Sequence, residues 1–131
     1  SNLESLSYLY LSFNKLNYIG NETLTGLKNL KYFDISNNPI ELIEPNSFID
    51  LKYKFLFFEE HIKLNRLKLS HIAKDAFKGL HNPDKVIDLT YNQIVHIKNY
   101  SFEHLISIQE IRLSNNLINS MEGGSFANLK Y

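Results

Sequence analysis

Residues 6–27, LSYLYLSFNKLNYIGNETLTGL, run into residues 30–51, LKYFDISNNPIELIEPNSFIDL, and the second stretch restates the apolar skeleton of the first. From Leu6 to Leu30 the period is about 24 residues, a length that marks a stacked array of small units and not a single layered core. The skeleton returns at 84–105, DKVIDLTYNQIVHIKNYSFEHL, and at 108–129, IQEIRLSNNLINSMEGGSFANL. Each copy reads L-x-x-L-x-L-x-x-N-x-L-x-x-I, then a late aromatic and a closing Leu, with exchanges among apolar types at most apolar positions.

The opening L-x-x-L-x-L alternates, which is the period of a short strand with one buried face. Leu9 and Leu11, Phe33 and Ile35, Ile87 and Leu89, and Ile111 and Leu113 are therefore expected to point inward. Asn14, Asn38, Asn92 and Asn116 follow where the chain leaves the strand. A side-chain amide there can donate to and accept from backbone groups of adjacent turns, which buried turns require. Stacked copies predict a ladder of these four amides. The late aromatic position, Phe48, Phe102 and Phe126 with Leu24 in the first copy, predicts an apolar spine beneath the outer side.

Energetics explain the serial arrangement. One copy buries roughly six apolar side chains at about 1.5–3 kcal/mol each, against an ordering cost of about 1–2 kcal/mol for every residue. Alone it does not fold; stacked, each copy shares its faces with two neighbours.

Four in-register copies that share the Asn and the late Phe resemble the leucine-rich repeat family in its typical extracellular form, over nearly the whole chain. The resemblance implies an α/β or strand-plus-irregular solenoid, with a concave parallel sheet of about five short strands and a convex side of loops, turns or short 3-10 segments. Repeats fall near 6–29, 30–51, 84–107 and 108–131, with 52–83 irregular. Extracellular members close their ends with cysteine-rich flanks, and this chain has no cysteine. The resemblance therefore predicts a window, 1–131, from a longer protein, lacking both caps.

Two alignments compete in the irregular interval. Even spacing makes Ile62 and Leu64 the strand core, with Leu67 at the Asn position, then Leu69, Ile72, Phe77 and Leu80. Strand propensity instead favours FLFF, with Phe55 and Phe57 inward and Glu60 at the Asn position, and this second reading is preferred. Either way the amide ladder is interrupted once.

Composition excludes several functions. Fourteen basic and fourteen acidic residues cancel, leaving no bulk electrostatic attraction for nucleic acid. No apolar run approaches the roughly eighteen residues of a membrane span, so this segment is not expected to insert. Nucleotide-binding glycine motifs and a nucleophile elbow are absent, Gly123 to Ser125 lacking the required frame. His61, His71, His81, His96 and His104 never pair at the spacing of a zinc helix, so neither a catalytic nor a metal site is expected, nor any cofactor.

What remains is surface. Outward strand positions stack in columns one strand spacing apart: Tyr8, Tyr32, Val86 and Glu110; Tyr10, Asp34, Asp88 and Arg112; Ser12, Ser36, Thr90 and Ser114. Under even spacing His61, Lys63 and Asn65 complete them, and the alternating charges of the middle column would pair laterally. Tyr8, Tyr10 and Tyr32 are the anchor of a candidate protein-binding face, with Asp34, Asp88 and Arg112, because tyrosine is enriched at binding hot spots. Two N-x-[ST] triplets, at Asn21 and Asn99, occupy the same outer register, two residues past Ile19 and Ile97, where a glycan would spare that face. About two such triplets arise by chance at this asparagine content, so position and not number carries the inference. The resemblance implies a recognition module without catalysis, binding a protein ligand or co-receptor at the cell surface or outside the cell, in a receptor, immune or adhesion protein. An intracellular scaffold or regulatory subunit in the cytoplasm is the alternative.

Overall fold

The computed structural model describes residues 3–51, 61–80, 86–106 and 108–129. Within them the chain forms nine short strands: β1 (Tyr8–Tyr10), β2 (Tyr18–Ile19), β3 (Tyr32–Asp34), β4 (Leu42–Ile43), β5 (His61–Lys63), β6 (Val86–Asp88), β7 (His96–Ile97), β8 (Glu110–Arg112) and β9 (Ser120–Met121). β1, β3, β5, β6 and β8 build one parallel sheet in that order. Registers run straight across it, Tyr10↔Asp34, Asp34↔Lys63, Lys63↔Asp88 and Asp88↔Arg112. The solenoid follows from this: each strand is laid beside the previous one after a circuit of turns, and no helix occurs among the described residues. No helix there is long and apolar enough to cross a membrane.

The interval from 52 to 72 resolves against the preferred reading. β5 occupies the place between β3 and β6, so His61–Lys63 is the sheet strand there, while Phe55 and Phe57 lie outside the described residues. Ile62 and Leu64 are buried and continue the inward columns of Phe33 and Ile35 on one side and Ile87 and Leu89 on the other. The physical reason is context: Ile62 and Leu64 are packed in the core with a paired strand on each side, and that packing outweighs the intrinsic propensity of an aromatic run.

A second line of pairing escaped the sequence pattern. β2 pairs with β4 and β7 with β9, both parallel, and an isolated bridge joins His71 to His96. Ile19, Ile43 and Ile97 are its buried members.

Side chains of successive repeats fuse into one core. Phe77, Phe102 and Phe126 stack along the outer side with centroids 6.0 and 5.3 Å apart and planes within 13°. Phe48 meets Phe33 edge-on at 6.3 Å. Asn38 donates from Nδ2 to the carbonyls of Ile35 and Leu11, both at 2.8 Å, and its Oδ1 accepts the Leu16 N–H. Asn92 does the same with Leu89, Leu64 and the Leu69 N–H, and Asn116 with Leu113, Leu89 and the Ile94 N–H. Asn14 donates within its own turn, to Leu11 and Ser12. Leu67, buried in the equivalent place, has no amide to offer.

A second polar ladder runs under the aromatic spine. Ser47 and Ser125 are buried, and each donates its hydroxyl to a carbonyl of its own turn and to one a repeat earlier: Glu44 and Ile19 for Ser47, Glu122 and Ile97 for Ser125. The recurring Ser-Phe pair is its sequence signal.

Candidate functional face

The concave sheet carries the outward columns, and their side chains differ in availability. Tyr8 and Tyr10 on β1 are 58% and 64% exposed. Tyr10 leans on Tyr32 of β3, ring centroids 4.8 Å apart at 36°. Lys63 of β5 brings Nζ over the Tyr32 ring, 5.7 Å from its centroid. The Tyr32 side chain, as hydrogen-bond partner, raises the Lys63 pKa above the ordinary lysine value, with further attraction from Tyr32, Asp34 and Asp88. Lys63, charged at neutral pH like any lysine, thus stands over an aromatic face in a favourable cation–π geometry.

The acidic members are occupied by neighbouring groups. Asp34 is only 8% exposed, and its Oδ1 accepts the Ser36 N–H at 3.0 Å. Asp88 Oδ1 accepts both the Thr90 N–H at 2.9 Å and the Thr90 hydroxyl at 2.7 Å. In both strands an Asp-x-[Ser/Thr] unit closes the turn after the strand, which is the tendency of short side-chain carboxylates to bond backbone two residues on. Asp34 keeps its place in the outward column, with the Tyr32 hydroxyl 3.5 Å from its Oδ2, but little of it is accessible.

Lateral ion pairing along the middle column is also replaced. Among the described residues no ion pair forms between Lys63 and either aspartate. Arg112 pairs along its own strand instead, Nε to Glu110 Oε1 at 2.6 Å, and this bond raises the Arg112 pKa further. The lateral partner is already engaged: Asp88 Oδ1 accepts from Thr90, whereas the Glu110 carboxylate on the same strand as Arg112 meets the guanidinium.

Arg66 and Tyr91, where the chain leaves β5 and β6, add an unforeseen pair at the margin of the face. The Arg66 guanidinium carbon lies 4.3 Å from the Tyr91 ring centroid. Both residues have positive φ, as do Phe13, Asn37 and Asn115 at the same place in other repeats. A left-handed residue just before the Asn position is a repeat feature that composition did not announce, since only two of the five are asparagine.

Asn21 and Asn99 are exposed and lie off the concave sheet, just past β2 and β7. Their backbone N–H groups donate to Glu44 and Glu122 of the next repeat, at 3.0 and 2.7 Å. The Asn99 Oδ1 accepts the Gly124 N–H at 2.8 Å.

A cluster on the convex side was invisible to spacing rules. Asp75 meets His104 at 2.7 Å, and Glu103 lies 3.5 Å from the same imidazole nitrogen. The His104 bond lowers the Asp75 pKa, with smaller contributions from His104, Lys78 and Lys74 charges. The residues come from two repeats, so a search for closely spaced ligands misses them.

Comparison with known proteins agrees with this architecture. Residues 3–56 and 85–130 match the family described as Leucine rich repeat. Asporin of Bos taurus is 30% identical over 130 residues, covering 96% of this chain and 32% of its own length. Human Leucine-rich repeats and immunoglobulin-like domains protein 1 is 30% identical over 121 residues, 92% of this chain and 10% of that protein. Human Toll-like receptor 3 is 31% identical over 128 residues, 95% of this chain and 14% of the receptor. The chain therefore spans a third or less of these relatives, and the matched segments, the parallel sheet and the repeated turns together place it in the leucine-rich repeat family.

Proposed function

We propose that this chain is a protein-recognition segment whose concave sheet binds a protein ligand or co-receptor, in a receptor, immune or adhesion protein at the cell surface or in the extracellular space. The observation that carries the reading is the Tyr10–Tyr32–Lys63 cluster: two aromatic rings in contact and a lysine ammonium over one of them. Aromatic and cationic groups already packed together lose little freedom on binding, which is what concentrates affinity in hot spots. Tyr8 extends the cluster by one more exposed ring in register with Tyr32. Kinship with Toll-like receptor 3 and with asporin supports a non-catalytic recognition role and an extracellular setting.

Glycan attachment at Asn21 and Asn99 belongs to the same reading. Both side chains are accessible, and a sugar on Asn99 Nδ2 leaves its Oδ1 free to keep the Gly124 bond. An added hexose mass at both sites in secreted protein supports this; an intact mass without it rejects glycosylation.

The test of recognition is alanine at Tyr8, Tyr10 and Tyr32 together, in the protein's own partner complex. Hot-spot anchors cost about 2 kcal/mol or more on truncation, some thirtyfold in affinity. Unchanged affinity with a folded variant rejects the tyrosine anchor.

A further inference from the structure

We propose that Asp75, Glu103 and His104 form a binding site for a divalent cation of the zinc class on the convex side of the solenoid. The site joins two repeats. Asp75 lies in the turn that follows the β5 strand's circuit, while Glu103 and His104 lie in the equivalent turn of the β6 repeat. One oxygen of each carboxylate and one ring nitrogen lie within 4.8 Å of one another. His104 Nε2 is 2.7 Å from Asp75 Oδ1 and 3.5 Å from Glu103 Oε1. Ligands about 2.0–2.1 Å from a tetrahedral ion stand roughly 3.3 Å apart, so side-chain shifts of about 1 Å bring all three into place.

Charge and donor chemistry select the ion. Two carboxylates converge on one imidazole, which can carry at most a single positive charge. Neither Asp75 nor Glu103 forms an ion pair with a lysine or arginine among the described residues; Lys74 and Lys78 act on Asp75 only at longer range. A dication would balance the pair of acids that one imidazole leaves in excess. Imidazole nitrogen with carboxylate oxygen suits zinc and its transition-series neighbours, whereas calcium and magnesium prefer an all-oxygen set. All three side chains are 23–31% exposed, which leaves room for water at the remaining coordination positions. The bound ion would clip the β5 and β6 repeats together on the side opposite the sheet.

Titration of the purified protein with zinc chloride in a non-chelating buffer, read by calorimetry and by thermal melting, decides the matter. The expected result is saturable one-to-one binding with a Tm that rises as zinc is added, and no matching response to calcium. His104→Gln and Glu103→Gln should each weaken zinc by at least roughly tenfold, since each removes a ligand, and losing even a residue that only orients a ligand costs that much. His71→Gln with His96→Gln should leave it unchanged. Should His104→Gln fail to fold, Glu103→Gln alone carries the comparison. Absence of saturable zinc binding, an equal calcium response, or loss of binding on changing His71 and His96 and not Glu103 would each overturn the proposal.

Discussion

Asn38 donates its side-chain amide to the carbonyl of Leu11 at 2.8 Å, across 27 positions of sequence. That bond and its Oδ1 contact to the Leu16 N–H tie the β3 repeat to the β1 repeat, and Asn92 and Asn116 do the same further along. Replacing Asn92 by Leu should therefore strand buried backbone groups of Leu64 and Leu69 and destabilise the protein by about 3 kcal/mol, at 1–3 kcal/mol for each unsatisfied group. Urea denaturation checks the value. The complementary change, Leu67→Asn, should cost far less, because it trades buried apolar surface for the missing amide.

Gly79 is where the backbone permits nothing larger. Its φ is +99°, and a Cβ there would come within 2.3 Å of the Ile49 Cα in the neighbouring repeat. Gly79→Ala should destabilise by about 3 kcal/mol or more through combined strain and backbone displacement. Gly123→Ala, with nothing within 4 Å, should stay within about 0.5 kcal/mol. Equal melting shifts for the two variants would contradict the close approach.

Phe13 combines a φ of 57° with 80% exposure. Asparagine tolerates the left-handed region, so Phe13→Asn should stabilise by about 1 kcal/mol. Tyr91→Asn relieves the same strain but loses the Arg66 contact, and its net effect should be smaller. Chemical denaturation of the two side by side measures the difference.

The Asp75–His104 bond has a sign in pH. A carboxyl whose folded pKa is depressed contributes stability present above its unfolded value, near about 3.9, and lost as pH falls through the folded value. Asp75 should therefore titrate below an ordinary aspartate by carboxyl NMR, and His104→Gln should return it toward the ordinary value. No change on losing the imidazole would contradict the hydrogen bond as the cause.

Much of this architecture was legible because repeated patterns average out local ambiguity. Leu30, Phe33, Ile35 and Asn38 recur at one spacing, and a strand, its inward face and its polar exit follow from period and amide chemistry alone. What stayed hidden depends on circumstances that no single copy contains. The place of β5 was decided by where Ile62 and Leu64 meet neighbours on both sides, against the strand propensity of Phe55–Phe58. Asp34 was counted as an accessible charge, yet the Ser36 N–H two residues on and the Tyr32 hydroxyl beside it occupy its carboxylate. Arg112 chose Glu110 on its own strand over a partner on the next. Asp75 and His104 stand 29 positions apart and meet only because the solenoid brings successive turns together.

A photo-crosslinking amino acid placed on either side of the solenoid separates recognition by the concave sheet from recognition by the convex side. Incorporated at Tyr10 on the sheet, it should capture the protein partner when the protein is displayed or secreted from its own cells. Incorporated at Lys78, exposed on the convex side, it should not. Capture from Lys78 with none from Tyr10 would contradict the account.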